Sequence, residues 1–262
     1  MTFDVNNFVI DHVLRGLMTS NTDGSVMWSI NQITEPSLSV TSETAEAVDA
    51  LGTTIATFNR GKKAEFTANN SLFDLGLYAA QNGVDKQIAS AGNTITTPAF
   101  ETIKVPTDGS AVSLAHTPNE TPTAIYLLKG DGTLGEKLEY SDTVAEGVFT
   151  YADGAITFPT NATAGAQYFV QYTYEAEKAV AVTGNAIDFP KAGKFIMEVL
   201  GTDVCDTTKL IHAYIVFPNA KLDANVDVSF TTDGNHPFTI QAQQSYCDAN
   251  KTLFQIVIPD EA

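Results

Sequence analysis

Two cysteines and four histidines are the residues of this 262-residue chain best suited to nucleophilic or metal-bound chemistry. Cys205 and Cys247 lack the paired CxxC spacing and close histidines that a zinc site requires. His12, His116, His212 and His236 are scattered, and no HExxH, GxSxG, Walker loop or GxGxxG occurs. Both cysteines read as reduced, partly buried thiols. Asn21-Thr22-Asp23-Gly24 and Gly130-Asp131-Gly132 resemble fragments of calcium loops without acids at the remaining ligand positions, and they read as turns. Glu43, Glu46 and Asp49 recur at three-residue spacing. Paired carboxylates can form an acid/base couple, but no adjacent His, Lys or Arg tunes these. They read as a solvated acidic face or an acidic contact surface. The sole tryptophan, Trp28, reads as a core anchor. No enzyme, cofactor or metal is expected.

Composition narrows the class. Against 14 Lys and Arg stand 31 Asp and Glu, a net charge of −17. Gripping phosphates needs clustered basic residues, so ordinary nucleic-acid binding is disfavoured. Charged residues make up only 17% of the chain, a folded composition rather than an acidic tail. The length accommodates one large β domain or two smaller ones, either with a substantial core. The start, MTFDVNNFVIDHVLRGLM, lacks the pattern of a secretory peptide, and no apolar run approaches the roughly 18 residues of a membrane span. Two cysteines are too few for a disulfide scaffold, so folding in a cytoplasm is expected.

Elements must position whatever these residues do. Residues 6–18 carry Phe8, Val9, Val13, Leu14 and Leu17 near one face of a short helix. Asn21–Gly24 turns into a strand over 25–33, with Val26, Trp28 and Ile30 alternating. Ile55, Thr57 and Phe58 open a strand, Asn59-Arg60-Gly61-Lys62 supplies a turn, and Ala64, Phe66 and Ala68 alternate on the return strand. Asn70 or Ser71 then caps a helix near 71–82, with Asp74 in its first turn, Leu72, Leu75, Tyr78 and Ala79 on a stripe, and Gly83 as its stop. From Phe100 to about Tyr174 come short strands with Asp-Gly turns, among them a hairpin across Asp153-Gly154. Strands are expected again at 179–183, 194–200, 210–217, 226–231, 238–244 and 253–258. A short echo links Cys205-Asp206-Thr207-Thr208-Lys209 and its following strand, ending at Pro218, to Cys247-Asp248-Ala249-Asn250-Lys251 and a strand ending at Pro259.

The block SINQITEPSLSVTSETAEAVDALG, followed by hairpin and helix, resembles the tail tube (major tail) proteins of tailed bacteriophages. The likeness covers Val26 to Gly83 well and the C-terminal third more loosely. It implies a mainly β fold, a tail-tube-like β-sandwich or barrel with one packed α-helix. It also implies a structural virion protein forming stacked, hexameric rings of a tube that conducts DNA without specific binding. Its partners would be itself, stacked head-to-tail, and other virion tail proteins, with no membrane. Its place would be the virion tail, after assembly in the host cytoplasm. Residues 99–175 depart from a minimal tube protein and read as an inserted small β-sandwich-like domain between the two tube-fold parts, 1–98 and 176–262. A head decoration or capsid component is one alternative. A carbohydrate-binding, adhesin-like β-sandwich is another, with Tyr168, Tyr172 and Tyr174 alternating along one face.

Charge placement suggests how rings would stack. Arg60, Lys62 and Lys63 fall at the expected hairpin tip, downstream of Glu43, Glu46 and Asp49. A basic projection on one surface and an acidic one on another are complementary but not self-complementary, so the contact propagates without closing. These six residues form the expected ring-stacking interface, unless the basic tip is simply a charged turn that discourages aggregation.

Overall fold

The computed structural model describes residues 7–232, 234–245 and 249–259. The chain divides into two compact units, one of residues 1–86 and 182–262 and the other of residues 87–181.

The first unit starts with β1 (Phe8–Ser20), β2 (Val26–Ile30), β3 (Ile33–Val48), β4 (Thr54–Asn70) and α1 (Leu75–Gln81). The second unit holds β5 (Gln87–Ile88), β6 (Ile95–Lys104), β7 (Val112–Ser113), β8 (Ala124–Leu128), β9 (Leu134–Tyr140), β10 (Val148–Ala152), β11 (Ala155–Thr157), β12 (Gln167–Ala176) and β13 (Val180–Ala181). The chain then returns to the first unit through β14 (Ala192–Asp203), β15 (Asp206–Leu222), β16 (His236–Ala242) and β17 (Gln255–Val257).

In the first unit the strand order is β2-β1-β14-β15-β16-β4-β3, with β17 also on β15. The sheet curls into a nearly closed barrel. Its interior is aromatic. Trp28 stacks on Phe195 with ring centroids 5.6 Å apart, and Phe66 and Phe217 lie 5.8 and 5.9 Å from the same ring. Trp28 is therefore the core anchor read from the sequence.

The N-terminal segment is a correction. Residues 8–20 form β1, not a helix. Register shifts between Ile10 and His12 and between Val13 and Arg15 reset the alternation of inward side chains. Two bulges in one strand space its apolar residues three and four apart and so imitate a helical stripe. The expected strand at 226–231 is also absent. There Asp223 accepts the backbone N–H of Asn225, and Gly234 N–H donates to the Thr231 carbonyl, so local turns occupy groups a ladder would need. Pro218 does not end its strand, since β15 continues to Leu222 and Ala220 pairs with Gly193. The second half of the sequence echo lies partly outside the described residues.

The helix is shorter than expected and capped later. Asp74 is the N-cap, its carboxylate accepting from Leu77 N–H at 2.7 Å. Leu77, Ala79 and Gln81 are the buried positions, while Leu72 is exposed. Gly83 does end the helix, at φ +73°, where its N–H donates to the Ala80 carbonyl.

His236 ties this helix to the barrel. Its buried ring accepts the Asp74 N–H at Nδ1 and, as the tautomer protonated at Nε2, donates to Gln81 Oε1 at 2.8 Å. Gln81 Nε2 donates in turn to the Pro237 carbonyl. Desolvation lowers the imidazole pKa, partly opposed by the Asp74 charge. Folding holds the ring neutral, whereas the unfolded chain takes up a proton near the usual value of about 6.5. The stability it contributes is complete above that pH and is lost as pH falls below it. Urea midpoints measured from pH 8 to pH 5 should fall, and His236→Gln should show a shallower fall over the same window. An equal slope in both proteins would contradict this role.

The second unit has its own core, centred on the buried Ile125, Phe149, Ile156 and Val170. Its strands run in the order β6-β12-β8-β9-β10-β11-β7, and β5 pairs separately with β13. It takes in residues before the expected start at 99, because β6 pairs with β12 unbroken from Ile95 to Lys104. The hairpin at Asp153-Gly154 is present, with φ +51° and +80° at its two turn residues. That is the geometry two-residue hairpins favour.

Candidate functional site

The site is an arm formed by β3 and β4. At its base, Ile33, Phe66 and Ala68 are buried in the barrel core. β16 pairs with β4 only from Glu65 to Asn70. Beyond that, β3 and β4 pair with each other from Thr41–Lys63 out to Val48–Thr54. At about 3.3 Å per residue the eight positions from Thr41 to Val48 reach about 25 Å.

Sequence chemistry dictates its turn. Asp49 Oδ1 accepts the N–H groups of Leu51 and Thr53 at 2.9 and 2.8 Å. Asp49 N–H donates to the Thr53 carbonyl, and Gly52 adopts φ +83°. This closed turn leaves Leu51 at the tip, 91% exposed. Val40, Val48, Ile55 and Phe58 are exposed along the same arm.

Asn59–Lys62 is thus not a hairpin turn. β4 runs unbroken through it, and a register shift between Thr41 and Glu43 absorbs the irregularity, with Gly61 at φ +59°. Arg60, Lys62 and Lys63 stand near the inner end of this free ribbon, and the tip is Asp49–Thr53. A second bulge interrupts β3 between Thr34 and Ser37, with Glu35 at φ +52°.

The acidic and basic residues are brought together on one ribbon instead of on two separate surfaces. Glu43 is the cross-strand partner of Arg60, and Lys63 Nζ lies 3.6 Å from its carboxylate. Both ends of that ion pair are about three-quarters exposed, so it contributes at most about 1 kcal/mol. Glu46 lies one strand position out of phase with Glu43, hence on the opposite face, and accepts from Thr54 Oγ1 at 3.1 Å. Beyond Arg60 the arm therefore carries Glu46 and Asp49 without a basic residue. The apolar tip itself escaped sequence reasoning, although Asp49-Ala50-Leu51-Gly52 is a readable turn signal.

Residues with catalytic potential are not assembled. Cys205 is exposed, not partly buried, in the turn between β14 and β15, and Cys247 lies outside the described residues. His12 pairs with Asp11, and His212 Nδ1 lies 3.1 Å from Glu198, which also holds Arg15 Nε at 2.6 Å. His116 stacks on Tyr174. Among the described residues no three metal-ligating side chains converge. Asp23 and Asp131 accept from Ser25 and Thr133 two residues on, which makes both segments turns. Tyr168 and Tyr172 belong to the core of the second unit. Burial, then the hydrogen bond to Glu101, pushes the Tyr172 phenol up to about 12. Two of the three tyrosines that the adhesin alternative needs exposed are therefore core residues, and Tyr174 packs against them.

A nearly closed barrel-like sheet extended by a two-stranded arm defines the class as mainly β. The chain belongs to the YomU/Tube protein family, whose model matches residues 8–256. Membership makes it a structural phage tube protein and implies a place in the virion tail with copies of itself and other tail proteins. No curated protein matches it. Among the described residues no helix is long and apolar enough to cross a membrane.

Proposed function

We propose that the chain is the repeating protomer of a tube of stacked rings, six copies to a ring, with the β3–β4 arm joining each ring to the next. One observation carries this reading. The arm exposes Val40, Val48, Leu51, Ile55 and Phe58 on a two-stranded ribbon, and such a ribbon is marginal in water without a covering partner. Arg60, Lys62, Lys63, Glu43, Glu46 and Asp49 all lie on it and belong to the proposed contact. The unit of residues 87–181 is read as an insertion in the tube protomer. A net charge of −17 on every copy supports a lumen that passes duplex DNA while leaving its phosphates hydrated.

Shortening the arm tests the reading. Thr41 and Lys63 are cross-strand partners, so residues 42–62 can be replaced by Asn-Gly, which closes a two-residue hairpin. The shortened protein should fold, with unchanged β circular dichroism, and should form no tubes in negative-stain micrographs where the intact chain does. Tubes of normal length from the shortened chain would refute the arm's role.

A further inference from the structure

The arm tip needs a receptor, and a recess of the first unit offers chemistry that matches it. A cavity of about 400 Å³ opens between the β1–β2 turn, helix α1 and the start of β14. Met27, Ala79, Ala80 and Val84 give it apolar lining, and Lys86 and Lys191 stand among its lining residues. Both lysines are exposed. They are two of the chain's 14 Lys and Arg, and Asp85 lines the recess beside them.

We infer that this recess binds the tip of the β3–β4 arm of a second copy, with Leu51 entering the apolar part and Glu46 and Asp49 facing Lys86 and Lys191. The inference rests on the tube reading above and names the partner surface it requires. Three features match. The tip presents a single large apolar side chain, fixed outward by a hydrogen-bonded turn. The cavity falls in the size range of sites that take small apolar groups with a few polar contacts. The distal arm is purely acidic, and lysines border the recess. Lys191 Nζ already lies 3.8 Å from Asp85, so Lys86 supplies the larger part of the attraction. Because arm and recess are different parts of the protomer, each copy gives one contact and receives one, which yields an open series rather than a closed dimer.

Charge exchange separates this inference from the tube reading. Lys86→Glu with Lys191→Glu changes exposed side chains only and should leave the fold intact by circular dichroism. It should shorten tubes at least tenfold, and adding Glu46→Lys should restore most of that length. Asp49 is left unaltered because it builds the turn. As a second readout, Leu51→Cys with Ala80→Cys, in a Cys205→Ser, Cys247→Ser background, should give on oxidation a ladder of covalent oligomers that reductant abolishes. Normal tubes from the double-Glu protein beside none from the arm-shortened one would overturn the recess and leave the arm's role standing. Loss without rescue by Glu46→Lys, or cross-linked samples that stay monomeric, would overturn the pairing. Normal tubes from both variants would remove the inference and the arm's role together, and leave a tube joined by another surface.

Discussion

Phe195→Ala should destabilise the first unit by about 3–5 kcal/mol, the usual cost of removing a fully buried phenyl ring. The ring has no exposed surface and meets Trp28, Phe66 and Phe217 at centroid distances of 5.6–5.9 Å. It lies on β14, between β1 and β15, so the void would open in the middle of the sheet order. Trp28 is the only tryptophan and sits in this core, which makes its fluorescence a reporter of the first unit alone. A urea titration followed at that signal should show the loss directly, and Phe195→Leu should lose much less. A shift under about 1 kcal/mol for the alanine variant would mean that the barrel closes over the gap.

Gly83→Ala should cost a comparable amount for a different reason. The residue sits at φ +73°, and a Cβ there would fall 2.2 Å from the carbonyl oxygen of Phe189. The left-handed backbone costs an alanine about 1–2 kcal/mol, and relieving a backbone clash adds about 1–3 kcal/mol. Neither term can be relieved by rotating a side chain, since the obstructing atoms are main chain. Gly92→Ala is the matched control, with nothing within 4 Å of its Cβ position and no left-handed backbone, and should be nearly neutral. Thermal melts of the two variants would check the contrast, and equal melting temperatures would contradict it.

Much of the fold was legible where one local signal acted alone. Asp153-Gly154 gave a hairpin because both residues tolerate positive φ, and Gly83 ended its helix for the same reason. The family resemblance also rested on local order, strand before turn before helix, and it survived errors about where each element began. Misreadings came where a strand was irregular. Two bulges in β1 gave a helical spacing, and the glycine and charged residues at Asn59–Lys62 imitated a turn that β4 passes straight through. From sequence, a bulge and a turn share residues and differ only in whether the partner strand continues. That partner, β3, carries an irregularity of its own between Thr34 and Ser37. The site suffered most. Glu43 and Arg60 are seventeen positions apart in the sequence and directly opposite in the ribbon, a pairing that only a correct hairpin register could reveal.

The short ladder between β5 and β13 has a consequence for what this chain can carry. Gln87-Ile88 pairs with Val180-Ala181, so the second unit begins and ends on two adjacent strands. Neighbouring strands lie about 5 Å apart, which places the two junctions within the reach of almost any domain whose ends are close together. Closing such a loop adds little entropy whatever its length, because the cost rises only with the logarithm of the residues enclosed. The position is thus a ready-made socket. A foreign domain with adjacent termini could be exchanged for the native one there, and each chain would carry one copy of the cargo.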